Sequence, residues 1–171
     1  MTARISLVLG GARSGKTARA LALCADPPHI YLATAQALDG EMAARIAAHR
    51  AERGASWSVI EAPLEITDAI RGVTDRETTV LVDCLTLWLS NLMHHERDVA
   101  AETARLIAVL TTTPNRVVLV SNEIGLGLVP MEKLSREFRD AQGLLNQRIA
   151  AAADHVEFVA AGLPLTMKGE V

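Results

Sequence analysis

Gly10-Gly11-Ala12-Arg13-Ser14-Gly15-Lys16-Thr17 stands between the apolar run Ile5–Leu9 and the alanine-rich stretch Lys16–Cys24, and its reading decides the fold. Every fixed position of G-x-x-x-x-G-K-[ST] is filled, in a strand–turn–helix setting. Glycines let successive backbone N–H groups converge on an anion, and the helix that follows adds partial positive charge at its N-terminus. Lys16 would place its ammonium on the β- and γ-phosphates of a nucleoside triphosphate, and Thr17 would offer a hydroxyl to Mg²⁺. The competing reading is a glycine turn with an incidental Lys-Thr. Typical residue frequencies give a chance match in a chain of this length odds of roughly one in a hundred or less.

Outward from this loop, short β-branched or leucine-rich runs alternate with longer helical stretches. Strands are predicted at Ile5–Leu9, Ile30–Ala33, Ser58–Ile60, Thr79–Val82, Val117–Ser121 and Val156–Ala160. Helices are predicted at Lys16–Cys24, Gly40–Arg53, Glu65–Arg71, Leu85–His95, Val99–Leu110 and Met131–Ala153. Several strand runs are apolar on successive residues, the pattern of strands buried on both faces. Such alternation implies right-handed βαβ crossovers and an α/β fold with a mostly parallel central sheet and helices on both faces. Ligands then bind beyond the carboxyl ends of the strands. Leu163–Val171 reads equally as a last short strand or a tail.

The 171 residues are expected to form one domain, 1–171, around a single core. Aromatics are only 3%, so that core must be built from Ala, Leu, Val and Ile. A formal net charge of −3 offers no basic footprint for nucleic acid. Cys24 and Cys84 provide neither a disulfide framework nor metal-ligand spacing. Met1–Arg4 leads straight into a five-residue apolar run and a glycine turn, which is not a signal peptide. The apolar stretches break well before the ~18 residues a membrane span needs. A soluble, cytoplasmic protein with no membrane span is expected.

Thr79-Val80-Leu81-Val82-Asp83 is an apolar strand ending in a carboxylate, the form of an acid that holds Mg²⁺ through water. Asp83 could instead merely cap the next helix. Glu123, after Val117–Ser121, is a second acid in the same topological place, a candidate general base or outer partner of the metal. On the Gly40–Arg53 helix, His49 continues the apolar stripe of Met42 and Ile46. Arg45, Arg50 and Arg53 surround it and favour the neutral, nucleophilic imidazole by like-charge repulsion. The plainer reading is a histidine complementing a helix C-terminus. His29, His94, His95 and His155 receive no role.

Together these features make the sequence resemble the bifunctional adenosylcobinamide kinase / adenosylcobinamide-phosphate guanylyltransferase family of cobalamin biosynthesis. The resemblance runs nearly end to end: the Gly10–Thr17 loop, Tyr31-Leu32-Ala33-Thr34-Ala35, Glu41–Ile46 with His49-Arg50, Trp57, Glu61, Asp83-Cys84-Leu85-Thr86, Ser121–Pro130, Phe138-Arg139-Asp140 and Leu145-Asn146-Gln147-Arg148. His49-Arg50 and Asn122–Pro130 are its most restrictive parts.

The resemblance implies a RecA-like P-loop NTPase fold, a homotrimer and two reactions. The γ-phosphate of ATP or GTP passes to the aminopropanol hydroxyl of adenosylcobinamide. A histidine then attacks the α-phosphorus of GTP, and adenosylcobinamide phosphate takes the GMP to give adenosylcobinamide-GDP. It further implies catalytic roles for His49 and Lys16, and Mg²⁺ held by Thr17 and Asp83. Nucleotide contacts are implied at Gly10, Gly11, Ala12, Arg13, Ser14, Gly15, Lys16, Thr17, Ala33, Thr34, Ala35, Arg50, Ala51, Glu52, Arg53, Glu61 and Asp83. Ala35 stands where a serine is frequent, and Asp83 replaces a glutamate found in some relatives, which draws the acid inward by one methylene. The alternatives are a simple P-loop small-molecule kinase with a structural His49, and a non-catalytic nucleotide switch.

Overall fold

Valine, isoleucine and leucine on consecutive positions leave a strand no solvent face, so such strands must be covered on both sides. The computed structural model, which describes residues 3–24, 26–36 and 57–169, shows this arrangement. In chain order the elements are β1 (Ile5–Gly10), α1 (Lys16–Leu23), β2 (His29–Ala33), β3 (Trp57–Glu61), α2 (Ile66–Arg71), β4 (Thr79–Asp83), α3 (Leu85–His94), α4 (Val99–Thr112), β5 (Arg116–Asn122), α5 (Lys133–Ala152), β6 (His155–Ala160) and β7 (Leu163–Lys168). They build one seven-stranded sheet of order β3-β2-β4-β5-β1-β6-β7. All neighbours pair in parallel except β6 and β7. The expected helix Gly40–Arg53 lies outside the described residues.

Pleating divides the side chains between two cores. On one face Ile5, Leu7, Leu9, Leu32, Val80, Val82, Val117, Leu119 and Val156 pack against α2–α5, around the fully buried Trp88 and Leu106. On the other, Val8, Tyr31, Leu81, Val118, Val120 and Val159 pack against Ala20 and Leu23 of α1. Aliphatic side chains dominate both, as the scarcity of aromatics requires.

Helix ends depart from expectation for local reasons. α4 runs past Leu110 to Thr112 and stops because Thr113 precedes Pro114 and is extended (φ −62°, ψ 137°). Its start is capped by Asp98, whose carboxylate accepts from the N–H groups of Ala100 and Ala101 at 2.9 and 3.0 Å. α5 begins at Lys133 rather than Met131, because Glu132 is still extended. The open question at the C-terminus resolves as a strand: Ala161 (φ 53°) and Gly162 (φ 77°) form a two-residue reversal, and β7 returns antiparallel along β6. Among the described residues no helix is long and apolar enough to cross a membrane.

One buried ion pair ties α1 to the sheet. Glu157 on β6 is 1% exposed, and both its oxygens accept from Arg19 at 2.7 Å. His155 Nε2 lies 3.0 Å from the same carboxylate. The Arg19 hydrogen bonds hold the Glu157 carboxyl below its ordinary range against the opposing effect of burial, and His155 adds to the lowering. A depressed folded-state pKa contributes stability above the unfolded value of ~4.5 that is lost as pH falls through the folded value. Glu157→Gln keeps one acceptor oxygen but removes the charge beside Arg19, and should therefore cost about 2 kcal/mol at neutral pH. The variant should also lose part of the wild-type decline in stability below about pH 4.5. Denaturant titrations of both proteins at pH 7 and across the acid range check this.

Candidate active site

The phosphate loop leaves β1 at Gly10 and enters α1 at Lys16. A Cβ on Gly10 would lie 2.6 Å from the Val159 carbonyl oxygen and still closer to Ser14 Oγ. Gly15 caps α1 with φ +94°, and a Cβ there would meet Gly162 Cα at 3.1 Å. The loop is braced from the β6–β7 turn, where the Gly162 N–H donates to the Ser14 carbonyl at 2.8 Å. Lys16 Nζ donates to the Gly11 carbonyl at 2.9 Å, so the ammonium folds over the loop itself. Thr17 is half-buried in the first turn of α1, and Ala12 and Arg13 are exposed at the loop's crest.

Parallel pairing brings other expected residues into a line. Ala33 at the end of β2 is in register with Glu61 on β3 and with Asp83 on β4. These three residues thus form a row along the carboxyl edge, although 50 positions separate Ala33 from Asp83. Only β5 lies between the strand bearing Asp83 and the strand bearing the loop. Asp83 is half-buried, and its Oδ2 accepts from the Tyr31 hydroxyl at 2.8 Å.

Glu123 follows β5, with its N–H donating to the Gly10 carbonyl at 3.1 Å. Its Oε1 accepts from the Gly125 N–H, so one carboxylate oxygen is engaged in the local turn. Thr34 is fully buried, and its hydroxyl both donates to the Cys84 carbonyl and accepts from the Cys84 N–H, each at 2.8 Å. Its side chain is spent on holding the backbone after Asp83. Ala35 is half-buried just beyond it, and Glu61 is exposed. His49, Arg50, Ala51, Glu52 and Arg53 lie outside the described residues.

Several contributors have no role assigned from the sequence. Asn91 on α3 donates to the Thr34 and Pro63 carbonyls at 2.8 and 2.9 Å, joining the ends of two crossovers. Thr86 Oγ1 accepts from the Asn122 N–H at 2.9 Å. Behind β5, Ser121, Gln142 and Asn146 share buried hydrogen bonds of 2.7–3.0 Å, and Asn146 also donates to the Asn122 carbonyl. Thr86, Ser121 and Asn146 lie in segments that carry the family resemblance, but their hydrogen bonds, like those of Asn91 and Gln142, are revealed only by tertiary contact. Cys84 is no competing nucleophile: burial, with the Asp83 charge adding to it, pushes its thiol up to about 11.

The edge thus offers amide donors, one ammonium and hard oxygen ligands. A carboxylate and a hydroxyl suit Mg²⁺, which takes few protein ligands and relies on substrate phosphates. Among the described residues no group of three or more His, Cys, Asp or Glu forms a metal cage.

Comparison with known proteins identifies relatives over nearly the whole chain. The family model described as "Cobinamide kinase / cobinamide phosphate guanyltransferase" matches residues 6–167. The bifunctional adenosylcobalamin biosynthesis protein CobP of Pseudomonas aeruginosa is 47% identical over 168 residues, covering 96% of this chain and 97% of the relative. The CobU proteins of Salmonella typhimurium and Escherichia coli are 40% and 39% identical, each covering 95% of this chain and 98% of theirs. Among solved structures, a Pyrococcus horikoshii OT3 protein is similar with a TM-score of 0.51 at 10% identity, covering 98% of this chain and 87% of that one. A KaiC-like protein of the same organism gives 0.47 at 11% identity, over 91% of this chain and 70% of its own.

Removal of the loop ammonium is the direct test of the loop. Lys16→Ala should leave α1 folded, because alanine is the better helix former. It should weaken triphosphate binding at least tenfold while nucleoside affinity changes little. Calorimetric titration with GTP and guanosine checks this, and unchanged GTP affinity would refute the loop assignment.

Proposed function

Because this chain belongs to the cobinamide kinase / cobinamide phosphate guanyltransferase family, we propose that its single domain performs both transfers through the phosphate loop and His49. The observation that carries this reading is the loop at the carboxyl edge, with Lys16 poised over it and Asp83 one strand beyond its neighbour. Nearly full-length likeness to bifunctional relatives supports the pairing of activities.

In the first reaction the aminopropanol hydroxyl of adenosylcobinamide attacks the γ-phosphorus of ATP or GTP, and the nucleoside diphosphate leaves. The loop amides and Lys16 bind the β- and γ-phosphates and neutralise charge that builds on the bridging oxygen. Glu123, anchored to Gly10 through its backbone, is the carboxylate available to receive the hydroxyl proton. Mg²⁺, when bound, would screen the phosphate charges, with Thr17 and Asp83 holding it. Ala33, Ala35 and Glu61 would border the nucleoside, with the buried Thr34 holding the backbone behind them.

In the second reaction an imidazole nitrogen of His49 attacks the α-phosphorus of GTP and pyrophosphate leaves, giving a GMP–histidine. A phosphate oxygen of adenosylcobinamide phosphate then attacks the same phosphorus, the P–N bond breaks, and adenosylcobinamide-GDP is released with the imidazole restored. Splitting the transfer lets each displacement be in line. Arg50 and Arg53, with Ala51 and Glu52 between them, would neutralise the phosphate chain during this exchange.

The protein is further proposed to assemble as a homotrimer in the cytoplasm, where its nucleotide substrates are found. Leu163, Leu165 and Met167 of β7 are 73%, 66% and 61% exposed, which supports burial of that edge between subunits.

His49→Ala separates the two reactions. GMP transfer and label from GTP carrying ³²P at the α-position should vanish, while the kinase rate stays within about threefold, since that step draws on the loop, Mg²⁺, Glu123 and the acceptor hydroxyl but not on His49. Rates of both transfers on one preparation decide it. Undiminished protein labelling would refute the nucleophile, and equal loss of both rates would place His49 in the shared nucleotide site.

A further inference from the structure

Asp83 carries its carboxylate on one methylene, so its direction is set by the backbone and by whatever holds its oxygens. Contacts from the end of β2 hold Asp83 and the Cys84 backbone that follows it. The Thr34 N–H donates to the Asp83 carbonyl at 3.2 Å. The Thr34 hydroxyl bonds both backbone groups of Cys84. The Tyr31 hydroxyl donates to Asp83 Oδ2 at 2.8 Å. Tyr31 pairs in register with Leu81 and points to the α1 face of the sheet, as Leu81 does, so its ring runs diagonally along β4 towards Asp83.

Tyr31 is 5% exposed, and its ring stands edge-on to Trp57 with centroids 6.4 Å apart. Packing therefore fixes the ring, and the fixed ring fixes the hydroxyl.

We propose that Tyr31 is a positioning residue for the metal acid. By occupying Oδ2 it selects one rotamer of Asp83 and leaves Oδ1 to face the cation. This deepens the reading that Asp83 serves Mg²⁺, and it rests on that reading. A buried tyrosine that only filled space would serve as well without its hydroxyl. An orienting tyrosine would not, because a carboxylate freed to rotate pays orientational entropy each time the cation binds.

The test uses the full chain, a non-hydrolysable GTP analogue and Mn²⁺ as the probe, with Mn²⁺ affinity in the ternary complex read by electron paramagnetic resonance. Tyr31→Phe should weaken Mn²⁺ about tenfold, the scale of a charge-assisted hydrogen bond. Affinity for the analogue in EDTA and the thermal midpoint should hold. In turnover, half-saturation by Mg²⁺ should rise while kcat at saturating Mg²⁺ recovers. Asp83→Asn should weaken Mn²⁺ at least as much, and adding Tyr31→Phe to it should cost nothing more.

Unchanged Mn²⁺ affinity in Tyr31→Phe beside a loss in Asp83→Asn would overturn the positioning role and leave the metal reading intact. No loss in Asp83→Asn would overturn the metal reading and this proposal together. Equal weakening of nucleotide binding in EDTA would mark Tyr31 as structural and overturn the role.

Discussion

Everything at the site follows from how closely the chain approaches itself at Gly10. With no side chain there, the loop can turn under Ser14 while the Val159 carbonyl of β6 crowds from one side. The β5 side is closed by the Glu123 N–H on the Gly10 carbonyl. β1 is therefore held between β5 and β6 at the point where it releases the loop. The glycine turn beyond β6 returns to brace Ser14, so the sheet edge and the phosphate loop share one set of backbone hydrogen bonds. A methyl group at Gly10 would disturb this whole junction rather than one contact.

The central strands were legible because burial on both faces writes continuous apolar runs, as in Val80–Val82 and Val117–Val120. β7 was not, because Leu163, Leu165 and Met167 alternate with Pro164, Thr166 and Lys168 and all six are exposed. Its only strong signal is the Ala161-Gly162 reversal. The loop could be read at sight because its residues are contiguous. The row of Glu61, Ala33 and Asp83 could not, since it exists only once β2 is placed between β3 and β4. Thr34 shows the same limit: a threonine beside a nucleotide-binding edge invites a ligand contact, yet its hydroxyl is consumed inside the protein.

Support for the edge comes from buried polar groups at a position where apolar packing would have served stability alone. Ser121, Gln142 and Asn146 are desolvated, and each hydrogen bond among them recovers only about 1 kcal/mol net. What the cluster adds is direction: Asn146 reaches the Asn122 carbonyl and sets where β5 ends and Glu123 begins. Arg139 continues the same work from α5, donating to the Gly125 and Leu128 carbonyls at 2.6 and 3.2 Å. Arg136 bonds the Pro130 and Met131 carbonyls at 3.1 and 2.6 Å. The segment after Glu123 is thereby held although Leu126, Leu128 and Met131 are 83%, 97% and 94% exposed.

Strand order also bears on how one nucleotide site could serve two transfers. A γ-transfer and an α-transfer break different bonds of the same triphosphate, so their nucleophiles must arrive at different points along it. The crossover that includes His49 leaves the carboxyl edge at β2, three strand spacings from β1. At about 4.8 Å per spacing, its root lies roughly 14 Å from the phosphate loop. The row of Asp83, Ala33 and Glu61 extends from β4 outward along the same edge. Under the proposed roles, an acceptor activated by Glu123 beside β1 and a nucleophile on the chain that departs from β2 would start from separate points of that edge, so the two need not compete for one approach.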